Sequence, residues 1–311
     1  MKALGGSVGL QFETALPACP QIFLVGAPRS GTTLVYKALA LHPEVTYISN
    51  WLRRRPRWPW LSALNRLPRA AAGLQVRYWF GEESNAYRYD KRRSLAERVF
   101  PAPVEGGPVF EACGVGTDDA RATPEQAERL RRAFAGLVRF GGGATVVSKR
   151  IANNRLIPVL AEVFLESKFV NIVRDGRAVA HSLSKVDWWN EATIWWLCES
   201  PEEWRAAGKD DWELCARVWV EEVRAVAAGL ERIDPSRVLD VAYEMLVAKP
   251  HDTLAMIARF GGLHASRRWD EALGKVTFAN QKQTWRTRID PDVIRRIEGF
   301  QGEELRRYGY L

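Results

Sequence analysis

Residues 22–41 read I-F-L-V-G-A-P-R-S-G-T-T-L-V-Y-K-A-L-A-L, and this stretch decides the fold. Ile22–Val25 is an apolar run too short for a helix and ends at Gly26, which marks a buried strand. From Thr32 to Leu41 the apolar residues Leu34, Val35, Ala38, Leu39 and Leu41 follow a helical stripe that stops near His42-Pro43. Between strand and helix, G-A-P-R-S-G-T-T (26–33) has the frame of a phosphate-binding loop, G-x-x-x-x-G-K-[ST], with Thr32 where the lysine belongs. Backbone N–H groups of such a loop, backed by a helix N-terminus, cradle a doubly charged phosphate. The Thr32 and Thr33 hydroxyls add donors, and Gly31 lets the backbone approach the anion closely. Without the lysine, and with no clear Walker-B acid, magnesium-ATP is a poor fit. Arg29 instead places a planar cation, suited to bidentate oxyanion contact, inside the loop.

Beyond the loop, strands and helices alternate. Strands are expected at Ala144–Ser148, Lys168–Val173 and Arg237–Tyr243. Helices are expected at Leu156–Leu165, Arg177–Lys185, Trp212–Arg232 and Asp252–Phe260, with a last one from Asp290-Pro291 to about Arg307. The alternation implies an α/β fold: a parallel sheet with helices on both faces and ligands at the carboxyl ends of its strands. The 311 residues read as one domain. The segment at about 44–143 is irregular, apart from a helix at Pro124–Phe140 capped by Thr123.

A second motif, K-F-V-N-I-V-R-D-G-R-A-V-A-H-S-L-S-K (168–185), puts Arg174 at a strand end and Ser182 eight residues later, inside the next helix. The pair suits a second phosphate. Ordinary capping, with Asp175 as N-cap and Arg174 and Arg177 in ion pairs, explains the same residues.

Together the two motifs resemble the PAPS-dependent sulfotransferase family, whose donor is 3′-phosphoadenosine 5′-phosphosulfate (PAPS). The V-R-D-G-R-A-V-A-H-S stretch looks nearest to the tyrosylprotein sulfotransferases and their bacterial relatives. V-S-K-R (147–150), V-A-Y-E-M-L-V-A-K-P (241–250) and W-R-T-R-I-D-P-D-V (285–293) with the L-R-R-Y-G-Y end are weaker echoes. The match spans 22–49 and 145–311 and leaves the middle, acceptor-side segment unmatched. The resemblance implies a P-loop-type sulfotransferase fold. Pro28, Arg29, Ser30, Gly31, Thr32 and Thr33 would hold the 5′-phosphosulfate, and Arg174 and Ser182 the 3′-phosphate. Arg29 and Lys149 would act on the transferring group. The donor needs no metal, 3′-phosphoadenosine 5′-phosphate (PAP) is the product, and the acceptor is a hydroxyl or amine of a small molecule.

A general base must take the acceptor's proton. The glutamate of the tyrosylprotein enzymes falls at Asn50, and an amide cannot serve. Bacterial relatives carry a P-x-E-A-like segment after the variable region. Glu83, in G-E-E-S-N-A-Y (81–87), is the expected base, with Glu82 and His181 as alternatives. Trp188-Trp189 and Trp195-Trp196 are candidates to stack on an adenine or line an apolar pocket, whereas Trp212 and Trp219 read as core.

The charge of +8 suits an anionic ligand, yet no nucleic-acid motif is present. Cys19, Cys113, Cys198 and Cys215 lack zinc or disulfide spacing and read as buried free thiols. No signal peptide or membrane span is visible, so a cytoplasmic location is expected. A small-molecule P-loop kinase and a non-catalytic nucleotide-binding scaffold are the competing readings. Asn50 favours the scaffold, while Arg29 and Thr32 speak against the kinase.

Overall fold

The computed structural model describes residues 19–70, 72–81, 95–278 and 285–311. In chain order, β1 (Gln21–Val25), α1 (Thr32–Ala40) and β2 (Val45–Thr46) open the fold. The middle segment holds α2 (Asn50–Arg54), a 3₁₀ stretch at Pro59–Asn65, α3 (Arg66–Ala70), α4 (Ala72–Phe80), α5 (Leu95–Val99), α6 (Gly107–Ala112) and α7 (Pro124–Gly141). Then come β3 (Thr145–Lys149), α8 (Ile157–Val163), β4 (Lys168–Val173), α9 (Gly176–Leu183), α10 (Pro201–Ala206), α11 (Asp211–Leu230) and β5 (Val238–Ala242). The chain closes with α12 (Tyr243–Ala248), α13 (Pro250–Phe260), α14 (Arg267–Leu273), α15 (Trp285–Arg288) and α16 (Pro291–Arg307).

The sheet is parallel throughout, in the order β2-β3-β1-β4-β5. Leu24 lies beside Lys149, and Val25 beside Asn171. The chain goes out from β1 to one edge and back, then crosses over β1 to the other side. The carboxyl ends of β3, β1 and β4 therefore frame the crevice where ligands bind in such sheets.

Strand periodicity divides the core between the two faces. Ile22 and Leu24 join Val147, Val170 and Ile172 beneath α1, α4, α13 and α14. Phe23 and Val25 join Val146 and Phe169 beneath α6, α7 and α8. Both faces of each central strand are thus dry, which explains unbroken apolar runs such as Q-I-F-L-V. A third cluster, centred on the fully buried Trp219, ties α9, α11 and α16 together.

The expected parallel α/β fold is the one observed. The middle segment is more ordered than its sequence suggests. Its helices α2 to α6 are too short to show a period. Only α7 does, with Pro124 in its first turn and a capping box in which Gln126 N–H donates to Thr123 Oγ1 (3.2 Å) and Thr123 N–H to Gln126 Oε1 (2.7 Å). The cysteine expectation needs correction. All four are free and Cys113 and Cys215 are buried, but Cys198 is exposed, at a φ of 57° in the turn before α10. Among the described residues no helix is long and apolar enough to cross a membrane.

Gly176 opens α9 against Trp219. A Cβ there would come within 2.6 Å of the indole and 2.5 Å of Gln301 Oε1. Gly176→Ala is expected to lower stability by about 1–3 kcal/mol in urea unfolding, the cost of overpacking a close contact.

Candidate functional site

Four strand ends carry the site. At the end of β1 the chain turns through Gly26 (φ 138°), Arg29 (φ 68°) and Gly31 (φ 92°) before α1 starts. Glycine accepts such angles freely. A side chain at Gly31 would also strike Tyr243, whose ring lies 2.6 Å from the position of an added Cβ. Arginine does not accept them freely. Its left-handed backbone costs about 1–2 kcal/mol and persists only where the surroundings impose it. Here Arg174 Nη1 donates to the Arg29 carbonyl (2.7 Å), and Arg29 Nε donates to Ser182 Oγ (2.9 Å). The Ser30 hydroxyl is fully buried in the loop with no hydrogen-bond partner among the described residues. Such an orphaned donor fits a loop built to receive an acceptor-rich ligand.

The first turn of the loop is clamped from below. Asn154, just after β3, accepts from Gly26 N–H (3.0 Å) and donates back to the Gly26 carbonyl (3.0 Å). The Asn154 amide also donates to Glu222 Oε2 on α11 (2.6 Å), and Trp195 Nε1 donates to Glu222 Oε1 (3.1 Å). Burial pushes the Glu222 carboxyl up, opposed by these bonds and by the nearby Arg155 and Lys149. Sequence reading missed both Asn154 and Glu222. No local pattern marks them, because the clamp joins residues from three distant segments.

After β4, the capping reading of the second motif is borne out at Asp175 and Arg177. Asp175 caps α9 by accepting from Arg177 N–H (2.9 Å) and pairs with the buried Arg177 guanidinium, which also reaches Glu298 and the Tyr310 carbonyl. Arg174 escapes that pairing. Its guanidinium stacks on the Tyr243 ring at 4.3 Å, and the Trp219 indole holds its carbonyl (3.1 Å). The structure thus brings together Arg29, Arg174 and Ser182. His181 lies one residue before Ser182, buried and with Nε2 unpartnered among the described residues. Its pKa falls to about 4, through burial first and then through Lys185, Arg288 and Arg174. The charged groups acting on it are all cations, the electrostatic surroundings of an anion site. The imidazole is therefore neutral and desolvated near pH 7.

At the end of β3, Lys149 is buried and forms an ion pair with Glu105. The Lys149 side chain is 7% exposed, whereas Glu105 keeps 44% of its side chain open. Tyr36 Oη donates to the neighbouring Val104 carbonyl (3.3 Å), and Val104 N–H donates to the Ile48 carbonyl (3.0 Å), so the segment is fixed. Asn50 has a structural task. Its amide donates to the Arg98 and Phe100 carbonyls (3.0 and 3.2 Å) and accepts from Ala102 N–H (3.1 Å), stapling the strip that leads to Glu105. Glu82 and Glu83 lie outside the described residues. The available signal for Glu105 was P-V-E at 103–105, which supplies the proline that G-E-E-S lacks. The tryptophan pairs divide: Trp189 is core, Trp188 is half exposed, and Trp195 stacks under Arg155 (4.5 Å) beside the clamp.

Residues 20–267 match the Sulfotransferase family. The omega-hydroxy-beta-dihydromenaquinone-9 sulfotransferase Stf3 of Mycobacterium bovis is 25% identical, over 96% of this chain and 77% of its own. Protein-tyrosine sulfotransferase 2 of Gallus gallus is 25% identical over 78% of this chain and 51% of its own. Among solved structures, the sulfotransferase STF9 from Mycobacterium avium superposes with a TM-score of 0.58 at 16% identity, covering 94% of this chain and 77% of that one. The structural likeness concerns the fold.

His181 gives a pH test. Folding keeps it neutral down to about pH 4, whereas the unfolded chain takes up the proton near its ordinary value of 6.5. Stability is therefore lost progressively as pH falls from about 6.5 towards 4. Comparing the urea midpoints of wild type and His181→Asn across that range should show a smaller loss in the variant. Parallel losses would contradict the assignment.

Proposed function

The chain belongs to the sulfotransferase family, and on that premise we propose that its donor is PAPS and its acceptor the hydroxyl of a small molecule. The observation that carries the donor assignment is the joined pair of cationic anchors. Arg29 in the β1 loop bonds Ser182 through its side chain and Arg174 through its carbonyl, so the two anion sites form one unit. A nucleotide with phosphates on both its 5′ and 3′ oxygens matches that arrangement better than a triphosphate. The relatives' names support a hydroxyl acceptor, one naming an omega-hydroxy quinone and the other a protein tyrosine.

In this reading the loop backbone, Thr32 and Thr33 hold the 5′-phosphate. Arg174, Ser182 and the cations around His181 hold the 3′-phosphate. The acceptor oxygen attacks sulfur in line as the bond from sulfur to the 5′-phosphate oxygen breaks, and the negative charge leaves on PAP. Arg29 and Lys149 stabilise that charge, so their contribution is larger in the transition state than in the ground state. Glu105, in place of the expected Glu83, takes the acceptor's proton. It is an open carboxylate on a fixed segment, oriented by a buried lysine at the strand end next to the donor loop. That assignment removes the main support for a non-catalytic reading, because the missing glutamate at Asn50 is replaced from another segment.

Calorimetry tests the donor site: PAP should bind about tenfold or more tightly than AMP, the scale of one charge-assisted phosphate contact. Equal affinities would remove the 3′-phosphate role of Arg174 and Ser182. Arg29→Ala should lower turnover by ~100-fold or more while PAP affinity falls much less.

Glu105→Gln tests the base. Turnover should drop by roughly 10²–10⁴-fold, and the pH–rate profile should lose its acidic limb, with PAP binding intact. A fully active Glu105→Gln beside an inactive Glu83→Gln would return the role to Glu83.

A further inference from the structure

From Val45 to Phe80 the chain contains no Asp, Glu or Lys but seven arginines: Arg53, Arg54, Arg55, Arg57, Arg66, Arg69 and Arg77. Arg69 turns inward to the Val45 and Gly142 carbonyls. Arg53, Arg54, Arg55, Arg57 and Arg66 are exposed, and none of them forms an ion pair among the described residues. Some of them lie on indoles instead: Arg54 over Trp51 (5.4 Å) and Arg55 over Trp58 (6.0 Å).

The same segment exposes large apolar groups. Trp58 is 49% exposed and Trp60 54%, and their rings stack at 5.8 Å. Leu67 and Leu74 are 57% and 44% exposed. Trp60 and Ala63 in the 3₁₀ stretch, Leu67 and Ala70 in α3, and Leu74 in α4 are all exposed. Leu61, Asn65, Pro68, Val76 and Trp79 on the other side face the protein. The exposed side of these elements therefore carries a leucine and tryptophan ridge among exposed arginines.

We propose that this face docks on an anionic phospholipid bilayer. Guanidinium groups meet lipid phosphates, indoles settle at headgroup level, and the leucine ridge enters the acyl boundary. A nucleic acid would use the arginines but leave the Leu67 and Leu74 ridge in water. A second copy of this chain would set the same unpaired arginines against one another. The inference is independent of the donor and acceptor assignments, since it rests on a surface outside the strand-end site.

Co-sedimentation tests it with the full chain and two vesicle preparations, phosphatidylcholine alone and phosphatidylcholine with about 30 mol% phosphatidylglycerol, the anionic lipid the arginines require. Binding should be tenfold or more stronger to the anionic vesicles and should weaken with salt. Trp58→Ser with Trp60→Ser, and separately Leu67→Ser with Leu74→Ser, should each reduce it about tenfold or more at unchanged salt. All four positions are exposed, so melting temperature and PAP affinity serve as controls that the fold is intact. Three results would overturn the proposal: no binding to the anionic vesicles; binding that the leucine variants leave unchanged; or vesicle binding absent while the chain either binds an oligonucleotide or forms a dimer that the ridge variants dissociate.

Discussion

The site depends on the two-way bond between Asn154 and Gly26. The bonds lie in the core beneath the loop, where an unmade hydrogen bond costs about 1–3 kcal/mol and cannot be repaired by water. The same amide is pinned by Glu222, itself 2% exposed and held by Trp195 and Arg155. The first residue of the loop is thereby fixed to α11 as well as to the strand before it. Beyond Gly26 the chain makes its left-handed turns at Arg29 and Gly31, and the Arg29 side chain reaches Ser182. Removing the Asn154 amide would loosen the loop at its root while leaving every residue of the loop motif in place.

Charge is distributed around this frame in a consistent way. Carboxylates are present close to the site, but each is committed. Asp175 neutralises Arg177, Glu222 holds Asn154, and Glu244 accepts from Tyr310 Oη (2.8 Å). Arg174 is left to stack on Tyr243, and the groups that act on His181 are all cations. Positive charge thus collects at the carboxyl end of β4. The open carboxylate, Glu105, stands on the β3 side. The two sides therefore differ in electrostatic character.

The sheet and the donor loop were legible because their signals are local. A five-residue apolar strand, a glycine turn and a helical stripe all fall within residues 21–41. The strand and capped helix of the 168–185 motif were legible for the same reason, and Asp175 pairs there with Arg177 rather than with Arg174. The Asn154–Glu222 clamp and the Lys149–Glu105 pair were not legible. Each acts across a sequence distance at which one chain gives no register. Asn50 illustrates the limit: its side chain was correctly read as unable to accept a proton, but its use as a staple for residues 98–102 appears only in three dimensions. The outward Leu67 and Leu74 escaped for a simpler reason, since α3 and α4 are too short for a period that says which side faces the core.

The strand order has a kinetic consequence. β1 occupies the centre of the sheet, yet Gln21 pairs with Val146 and Ile22 with Lys168, so the first of the described strands waits for partners made far later in synthesis. At synthesis rates of about 5–20 residues per second, that wait is on the order of ten seconds. Throughout it Q-I-F-L-V, dry on both faces once folded, is an unpaired apolar edge. Non-local parallel pairing is also slow to form once the partners exist. Shielding of the nascent segment around residues 21–25 therefore guards against aggregation, and slower synthesis lengthens its exposure.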